Sequence, residues 1–197
     1  NKKAIDRCGS CTRCIDACPT DAIVKPYVID SRKCISYLTI ELKDKIPADL
    51  RDGLDNNVFG CDICQDVCPW NRKAPTKNDE YFSPREQLFN PDLSYLAKLS
   101  QEEFSKLFKG SPIKRTKRRG LLRNTLVAIG NSGDKSFVTI IEKLMNDEEP
   151  LIRLHAVWAL WKIEGEKSLS KIVELKKSEK NEEVIKEIDH IVNILNN

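Results

Sequence analysis

Three features of the 197-residue sequence predict an α+β chain, mainly α, in which a small cysteine-rich part precedes a larger helical repeat part. All eight cysteines lie before residue 69. From about Pro112 onward, apolar residues recur at the spacing of helices that bury one face. Short patterns in that region also return roughly thirty residues later, which is the mark of stacked repeats.

The cysteines are arranged as Cys8-x2-Cys11-x2-Cys14-x3-Cys18-Pro19, a solitary Cys34, and Cys61-x2-Cys64-x3-Cys68-Pro69. Thiolates at x2 spacing converge on one cuboidal iron–sulfur cluster from consecutive turns, whereas the cysteine three residues further on is carried to a second cluster. The device occurs twice, so the two halves should exchange their last ligands. Cys8, Cys11, Cys14 and Cys68 are expected to hold one 4Fe-4S cluster, and Cys18, Cys34, Cys61 and Cys64 the other. Cys34 stands in for the missing first cysteine of the second run. Zinc competes, because Cys-x2-Cys pairs also build closed tetrahedral sites, and an even cysteine count also fits a disulfide framework. Zinc sites rarely add a third cysteine at x2 and a Cys-Pro at x3. No signal-peptide pattern precedes the cysteines, and the chain reads as intracellular, where thiols stay reduced.

Within this first part, taken as residues 1–78, Asp21 to Asp30 reads as two short strands joined at Lys25-Pro26, a small hairpin able to roof a cluster. Ile35 to Leu42 reads as a helix ending before Pro47, and residues 48–60 as a short helix and loop. The polar stretch from Asn71 to Asp79, with Pro75, is the expected exit from the cluster domain. A helical linker follows over 79–111. In it Asn90-Pro91 is expected to start one helix, and Ser100 with Glu103 forms a capping box closed by Gly110.

Over 112–197, Phe137, Ile140, Ile141 and Leu144 form one stripe, Ile152, Ala156, Ala159, Leu160 and Ile163 a second, and Val184, Ile188, Ile191, Val192 and Leu195 a third. Gly133-Asp134-Lys135-Ser136 returns as Gly165-Glu166-Lys167-Ser168, and Pro150 to Arg153 is echoed by Glu183 to Lys186. Paired helices with short polar turns at this period predict HEAT-like repeats, which bury their apolar faces only by stacking. The architecture expected is therefore a ferredoxin-like double 4Fe-4S domain followed by an α-helical HEAT-like repeat domain.

The formal net charge of +3 says little about partners, but its distribution says more. Lys114, Arg115, Lys117, Arg118, Arg119 and Arg123 lie in one block without an acid, able to neutralise several phosphates. The plain alternative is a solvated helix start. No apolar stretch approaches the roughly 18 to 20 residues of a membrane span. His155, among apolar neighbours, reads as a satisfied core residue, His190 as helix surface, and neither as a metal ligand. Trp70, beside Cys68 and Pro69, can pack on a cluster or shield it from water. Trp158 and Trp161 read as core filling. No phosphate loop, nucleophile elbow or paired-carboxylate site is discernible, so the only strong chemical signal is redox.

Residues 8 to 23, Arg32 to Glu41 around Cys34, and Gly60 to Asn71 ending in Cys68-Pro69-Trp70-Asn71 together closely resemble the epoxyqueuosine reductases, and the resemblance continues through the basic block into the helical tail. It implies an oxidoreductase of queuosine biosynthesis, in which two 4Fe-4S clusters deliver electrons to cobalamin for reduction of epoxyqueuosine to queuosine in tRNA. It further implies a cytoplasmic, monomeric enzyme without a membrane partner, supplied by an electron donor protein or reductant, whose repeats cradle the anticodon stem-loop. The family carries an N-terminal corrinoid-binding domain with the catalytic acid, so this chain by itself is expected to bind clusters and RNA without turning over substrate. Ser36, two residues after Cys34, is the candidate cobalamin contact, with capping or turning the chain as its plain role. The reading from another class is a ferredoxin-type electron carrier with a protein-binding helical tail.

Overall fold

The computed structural model describes residues 5, 7–74, 85 and 88–195. The expected exit around Pro75 and the start of the linker at residue 79 lie outside the described residues.

The cysteine-rich part consists of short elements. A single turn, α1 (Arg13–Asp16), leads to strands β1 (Ile23–Lys25) and β2 (Val28–Ile29), which pair antiparallel with Ile23 opposite Ile29. The predicted hairpin is therefore present, and Tyr27 in its turn has φ +62°. The expected helix after Cys34 differs in kind: Tyr37–Glu41 is a turn of π-helix, closed by the Leu42 amide donating to the Tyr37 carbonyl at 3.0 Å. The Thr39 hydroxyl donates back to the Ile35 carbonyl at 2.7 Å, a side-chain bond that competes with the regular ladder. The carbonyls of Leu38 and Thr39 find donors elsewhere, as described below. Two further turns follow, α2 (Ala48–Arg51) and α3 (Ile63–Asp66), and α3 packs against α1.

In the linker, α4 (Leu93–Ala97) is capped by Asp92, whose carboxylate accepts from the Ser94 amide at 2.6 Å. Asn90 is thus not the cap; its φ of +50° places it in a left-handed turn before Pro91. An ionised carboxylate two residues further on makes the stronger cap at the positive end of the helix. The second helix, α5 (Gln101–Leu107), has the expected capping box. Ser100 Oγ accepts from the Glu103 amide at 3.1 Å, and the Glu103 carboxylate accepts from the Ser100 amide at 2.8 Å.

The repeats comprise α6 (Lys117–Ser132), α7 (Val138–Leu144), α8 (Pro150–Glu164), α9 (Leu169–Ser178) and α10 (Glu182–Leu195). Helix α8 packs against α6, α10 and α7, so α6, α8 and α10 form a continuous layer. The two recurring Gly-x-Lys-Ser turns occupy equivalent places, after α6 and after α8, and both glycines have positive φ. Helix α8 buries Ile152, Leu154, His155, Ala156, Val157, Trp158, Ala159 and Leu160, because neighbours cover it on most sides. Close approach to α6 requires Gly130, where a Cβ would lie 2.5 Å from the Trp158 ring.

One apolar core runs from Ile35, Leu38, Ile46 and Leu54 through Leu126 and Ile129 to Ile188 and Ile191. The segment after Cys34 is therefore built onto the repeats. Arg51, 1% exposed, makes a two-pronged ion pair with Glu187 on α10, and its guanidinium lies 5.4 Å from the Trp158 ring centre. His155 is fully buried; its Nε2 accepts from the Ile46 amide at 3.3 Å, and its Nδ1 faces the Leu151 carbonyl at 2.8 Å. These partners require the neutral tautomer protonated at Nδ1. The expectation of a satisfied core histidine matches this arrangement. His190 is exposed, as expected.

Two outcomes follow from these buried groups. Glu187→Ala leaves the Arg51 charge buried and unpaired, so urea unfolding should show a loss of about 3–5 kcal/mol, much of it regained when Arg51→Met is added. Burial, reinforced by the Arg51 charge, holds the His155 pKa well below the ordinary histidine value. The unfolded chain takes up this proton below about pH 6.5 and the folded chain does not, so stability falls as pH drops through that value, by up to about 1.4 kcal/mol per unit. Unfolding midpoints of His155→Gln measured from neutral to acid pH should lose that part of the slope; an unchanged slope would assign it to other groups.

Candidate metal centres

The two cysteine runs fold alike. In the first, the Ile15 and Asp16 amides donate to the Thr12 carbonyl, Ala17 to Arg13, Cys18 to Ile15, and Asp21 to Cys18. In the second, Gln65 and Asp66 donate to Asp62, Val67 to Ile63, Cys68 to Gln65, and Asn71 to Cys68. Each run thus bends a short helical turn back at its Cys-Pro, and the packing of α1 on α3 sets the two turns side by side.

Two cavities result. Cys8, Cys11, Cys14 and Cys68 line one of about 340 Å³, walled by the hairpin residues Tyr27 and Val28 and by Trp70. Cys18, Cys34, Cys61 and Cys64 line a second, smaller one under Ala22, Ile23, Ile29, Ile35 and Ile63. Cys64 also reaches the wall of the first. The spacing predicts an exchange of Cys18 and Cys68 between the halves; Cys18 lies beside Cys34, Cys61 and Cys64, and Cys68 beside Cys8, Cys11 and Cys14.

The donor set fits 4Fe-4S clusters better than the competing readings. None of the eight cysteines is joined in a disulfide. Among the described residues no three His, Cys, Asp or Glu side chains converge as a single-ion site requires. Four sulfurs spaced around a cavity suit a cuboidal cluster, whose irons occupy separate corners.

The two cavities differ electrostatically. Burial raises the Cys61 thiol, and the neighbouring Cys64, Cys34 and Cys18 sulfurs push it further; these are its three companions in the second cavity. Iron charge would reverse that repulsion, since a coordinating thiol is deprotonated outright. At Cys18 burial acts upward, but hydrogen bonds from the Thr20, Ala22 and Ile23 amides and the Thr20 hydroxyl outweigh it and hold the thiol below its ordinary value. The Ala22 amide lies 3.2 Å from the Cys18 sulfur. Cys8 and Cys11, by contrast, are exposed. Trp70 walls the first cavity, donates from Nε1 to the Arg7 carbonyl at 2.8 Å, and has the Arg7 guanidinium 5.0 Å from its ring centre.

The Ser36 hydroxyl makes no capping bond; it donates to the Cys61 carbonyl at 3.3 Å, tying the Cys34 segment to the second cysteine run.

The basic block divides. Lys114 and Lys117 are exposed, Arg115 pairs with Glu41 at the surface, and Arg119 lies 3.9 Å from Glu149. Arg118 is turned inward, donating to Asp147 and to the Leu99 carbonyl. The expectation that Arg123 meets phosphate is corrected, because its side chain is 0% exposed and its donors are spent on Asn124 and on the carbonyls of Leu38, Leu42 and Asp44. Burial lowers its pKa to about 10, so it remains charged near neutral pH. Lys43, missed in the sequence because it lies far from the basic block among Glu41 and Asp44, donates to the Arg115 carbonyl at 2.7 Å and adds a cation to the same edge. Trp158 is buried core and Trp161 packs at its margin, as expected.

The sequence matches the family of 4Fe-4S double cluster binding domains over residues 7–71 and that of HEAT repeats over residues 117–189. It is 46% identical over 154 residues to an epoxyqueuosine reductase of Escherichia coli, covering 78% of this chain and 40% of that protein. With one of Cyclobacterium marinum it shares 55% identity over 119 residues, covering 60% of this chain and 37% of that protein. The chain thus spans about two fifths of the length of the curated relatives it matches. The fold superposes on a crystal structure of an epoxyqueuosine reductase with an epoxyqueuosine-modified tRNA-Tyr stem loop, with TM-score 0.91, 32% identity, all of this chain and 52% of that one covered. A Bacillus subtilis epoxyqueuosine reductase gives TM-score 0.90 at 33% identity, with 99% and 52% covered. No helix among the described residues is long and apolar enough to cross a membrane.

Replacing Cys34 by serine should leave the cluster of the first cavity intact and remove or convert that of the second. Iron and acid-labile sulfide, about eight of each per unsubstituted chain if both sites fill, should drop towards half. Zinc without sulfide in the unsubstituted chain would refute the cluster assignment.

Proposed function

Because 78% of this chain is homologous to epoxyqueuosine reductase, we propose that it is the electron-supplying and RNA-facing part of such an oxidoreductase, with Cys8, Cys11, Cys14 and Cys68 holding one cluster and Cys18, Cys34, Cys61 and Cys64 the other. The observation that carries this reading is that the eight sulfurs line two adjoining cavities, with Cys64 bordering both.

When bound, such clusters take up and release single electrons. The chain's own residues set the conditions for that exchange. Buried Ala22 and Ile35 border the second cavity, the amides around Cys18 stabilise charge on its sulfur, and Cys64 borders both sites. The first cavity opens beside exposed Tyr27, Val28 and Trp70, a face suited to close approach of an electron partner. Cobalamin as the acceptor rests on the resemblance. The Ser36 hydroxyl is committed to Cys61, and the groove beside α9, lined by charged Glu142, Lys171, Glu174 and Lys177, does not suit cobalamin. A cytoplasmic setting and a separate electron donor likewise belong to this proposal.

For RNA, the supporting residues are Lys114, Lys117, Arg115 and Arg119 together with Lys43. Phosphate recognition by such a surface is salt-dependent and largely additive per contact. Binding of a tRNA anticodon stem-loop should weaken stepwise in Lys114→Ala, Lys117→Ala and Arg119→Ala. The slope of log affinity against log salt should shrink by about one for each phosphate contact removed. Affinity and slope unchanged in the triple variant would reject this RNA face and favour the electron-carrier reading. Arg123→Ala is no test of it, since that guanidinium supports the fold.

A further inference from the structure

The inner face of α6 carries polar side chains that meet the peptide segment between Cys34 and Cys61. Asn124 is 0% exposed. Its Nδ2 donates to the Thr39 carbonyl and to the Val58 carbonyl, both at 2.8 Å, while its Oδ1 accepts twice from Arg123, at 2.9 and 2.8 Å. All of the amide's capacity is used, so its orientation is fixed. Thr39 continues the connection: its hydroxyl oxygen accepts from the Gly60 amide at 3.0 Å and donates to the Ile35 carbonyl at 2.7 Å. Ile35 and Gly60 are the immediate neighbours of Cys34 and Cys61. The Ser36 hydroxyl closes the ring on the Cys61 carbonyl.

We infer that Asn124, oriented by Arg123 and acting through Thr39, is a positioning residue for the second cluster, holding Cys34 and Cys61 at the separation their shared site requires. This rests on the cluster reading proposed above. Cys34 comes from outside the two symmetric runs, so no local turn fixes it against Cys61; the bonds from α6 and Thr39 do so instead. The first cavity takes none of its cysteines from this segment. The effect of Asn124 is therefore specific to one of two chemically similar sites in the same molecule, which makes the other an internal control. Partners that orient metal ligands without touching the metal typically change metal retention by about 10- to 100-fold when replaced.

The isosteric Asn124→Asp keeps the Arg123 contact and loses the two donations. Asn131→Asp is the matched control, because Asn131 also donates to two carbonyls of this segment, those of Arg51 and Asp55, at 2.9 and 3.0 Å, away from either cysteine. With the full chain loaded anaerobically, iron release to a chelator and the electron paramagnetic resonance and midpoint potential of each reduced cluster are recorded. The second cluster is identified as the signal that Cys34→Ser removes. In Asn124→Asp that signal should shift and its iron should leave about tenfold faster or more, while the first cluster keeps its spectrum, potential and release rate. Equal acceleration at both clusters, no change at the second, or the same change in Asn131→Asp would each overturn the inference. Should Asn124→Asp fail to fold, Thr39→Val, which removes only the hydroxyl link, must produce the same one-sided effect, and its failure to do so is equally decisive. Zinc without sulfide in the unsubstituted chain would overturn both this inference and the reading beneath it, whereas two clusters that ignore Asn124 and Thr39 would overturn this inference alone.

Discussion

The peptide between Cys34 and Cys61 contains a π turn, short helical turns and loops, and where it is buried, at Ile35, Leu38, Thr39, Ile46, Arg51 and Leu54, backbone carbonyls shut off from water need donors from elsewhere. Side chains of one helix supply the donors. Arg123 covers the carbonyls of Leu38, Leu42 and Asp44, Asn124 those of Thr39 and Val58, and Asn131 those of Arg51 and Asp55. Leaving a single buried acceptor unpaired costs about 1–3 kcal/mol, so this set outweighs any surface ion pair in the molecule. It also explains why the helical part and the cysteine-rich part share one core.

Arginine is required at the centre of that arrangement. Its guanidinium offers five donors in a rigid plane, and here Nε, Nη1 and Nη2 together make contacts with three carbonyls and the Asn124 oxygen. A lysine would bring three donors on one nitrogen and leave acceptors unpaired. Burying the charge is expensive, and the side chain bears it because nearly every donor is matched and Asp44 lies close enough to favour the charged form. Among the described residues no buried side-chain nitrogen or oxygen lacks a partner.

The cysteine spacing by itself carries the expected pairing of sulfurs, because ligand exchange would follow from chain direction at each Cys-Pro and needs no tertiary information. The capping box at Ser100 and the Gly133 and Gly165 turns were legible for the same reason: each is set by bonds within a few residues. Asn90 misled because proline after asparagine is a good local start, while the stronger carboxylate cap at Asp92 lay only two residues on. Arg123 misled because it stands in a run of cations. The corrective signal was present: helical spacing places it in line with Gly120, Val127 and Gly130, small or apolar residues of a face that approaches a neighbour closely. The π turn had no such signal, since it depends on donors some eighty positions away in Arg123 and Asn124.

The same circumstance separates the two cavities. The cysteine runs repeat one set of hydrogen bonds and each cavity is lined by cysteines of both runs, with Cys64 on the wall of each, so the runs themselves offer little to distinguish the sites. The difference enters with Cys34. Its segment is drawn against α6 and brings Ile35 over the second cavity, while the first, with Cys8 and Cys11 exposed, stays open beside Trp70. Solvent exposure and hydrogen bonds to sulfur are both levers on a cluster's potential, and here they differ together: the enclosed site also has the Ala22 amide on Cys18. Enclosure disfavours the added negative charge of the reduced state, and the amide favours it. The two effects oppose each other within one site, so small changes in the placement of Cys34 and Cys61 can decide its potential relative to the open site, and that placement is what the buried face of α6 governs.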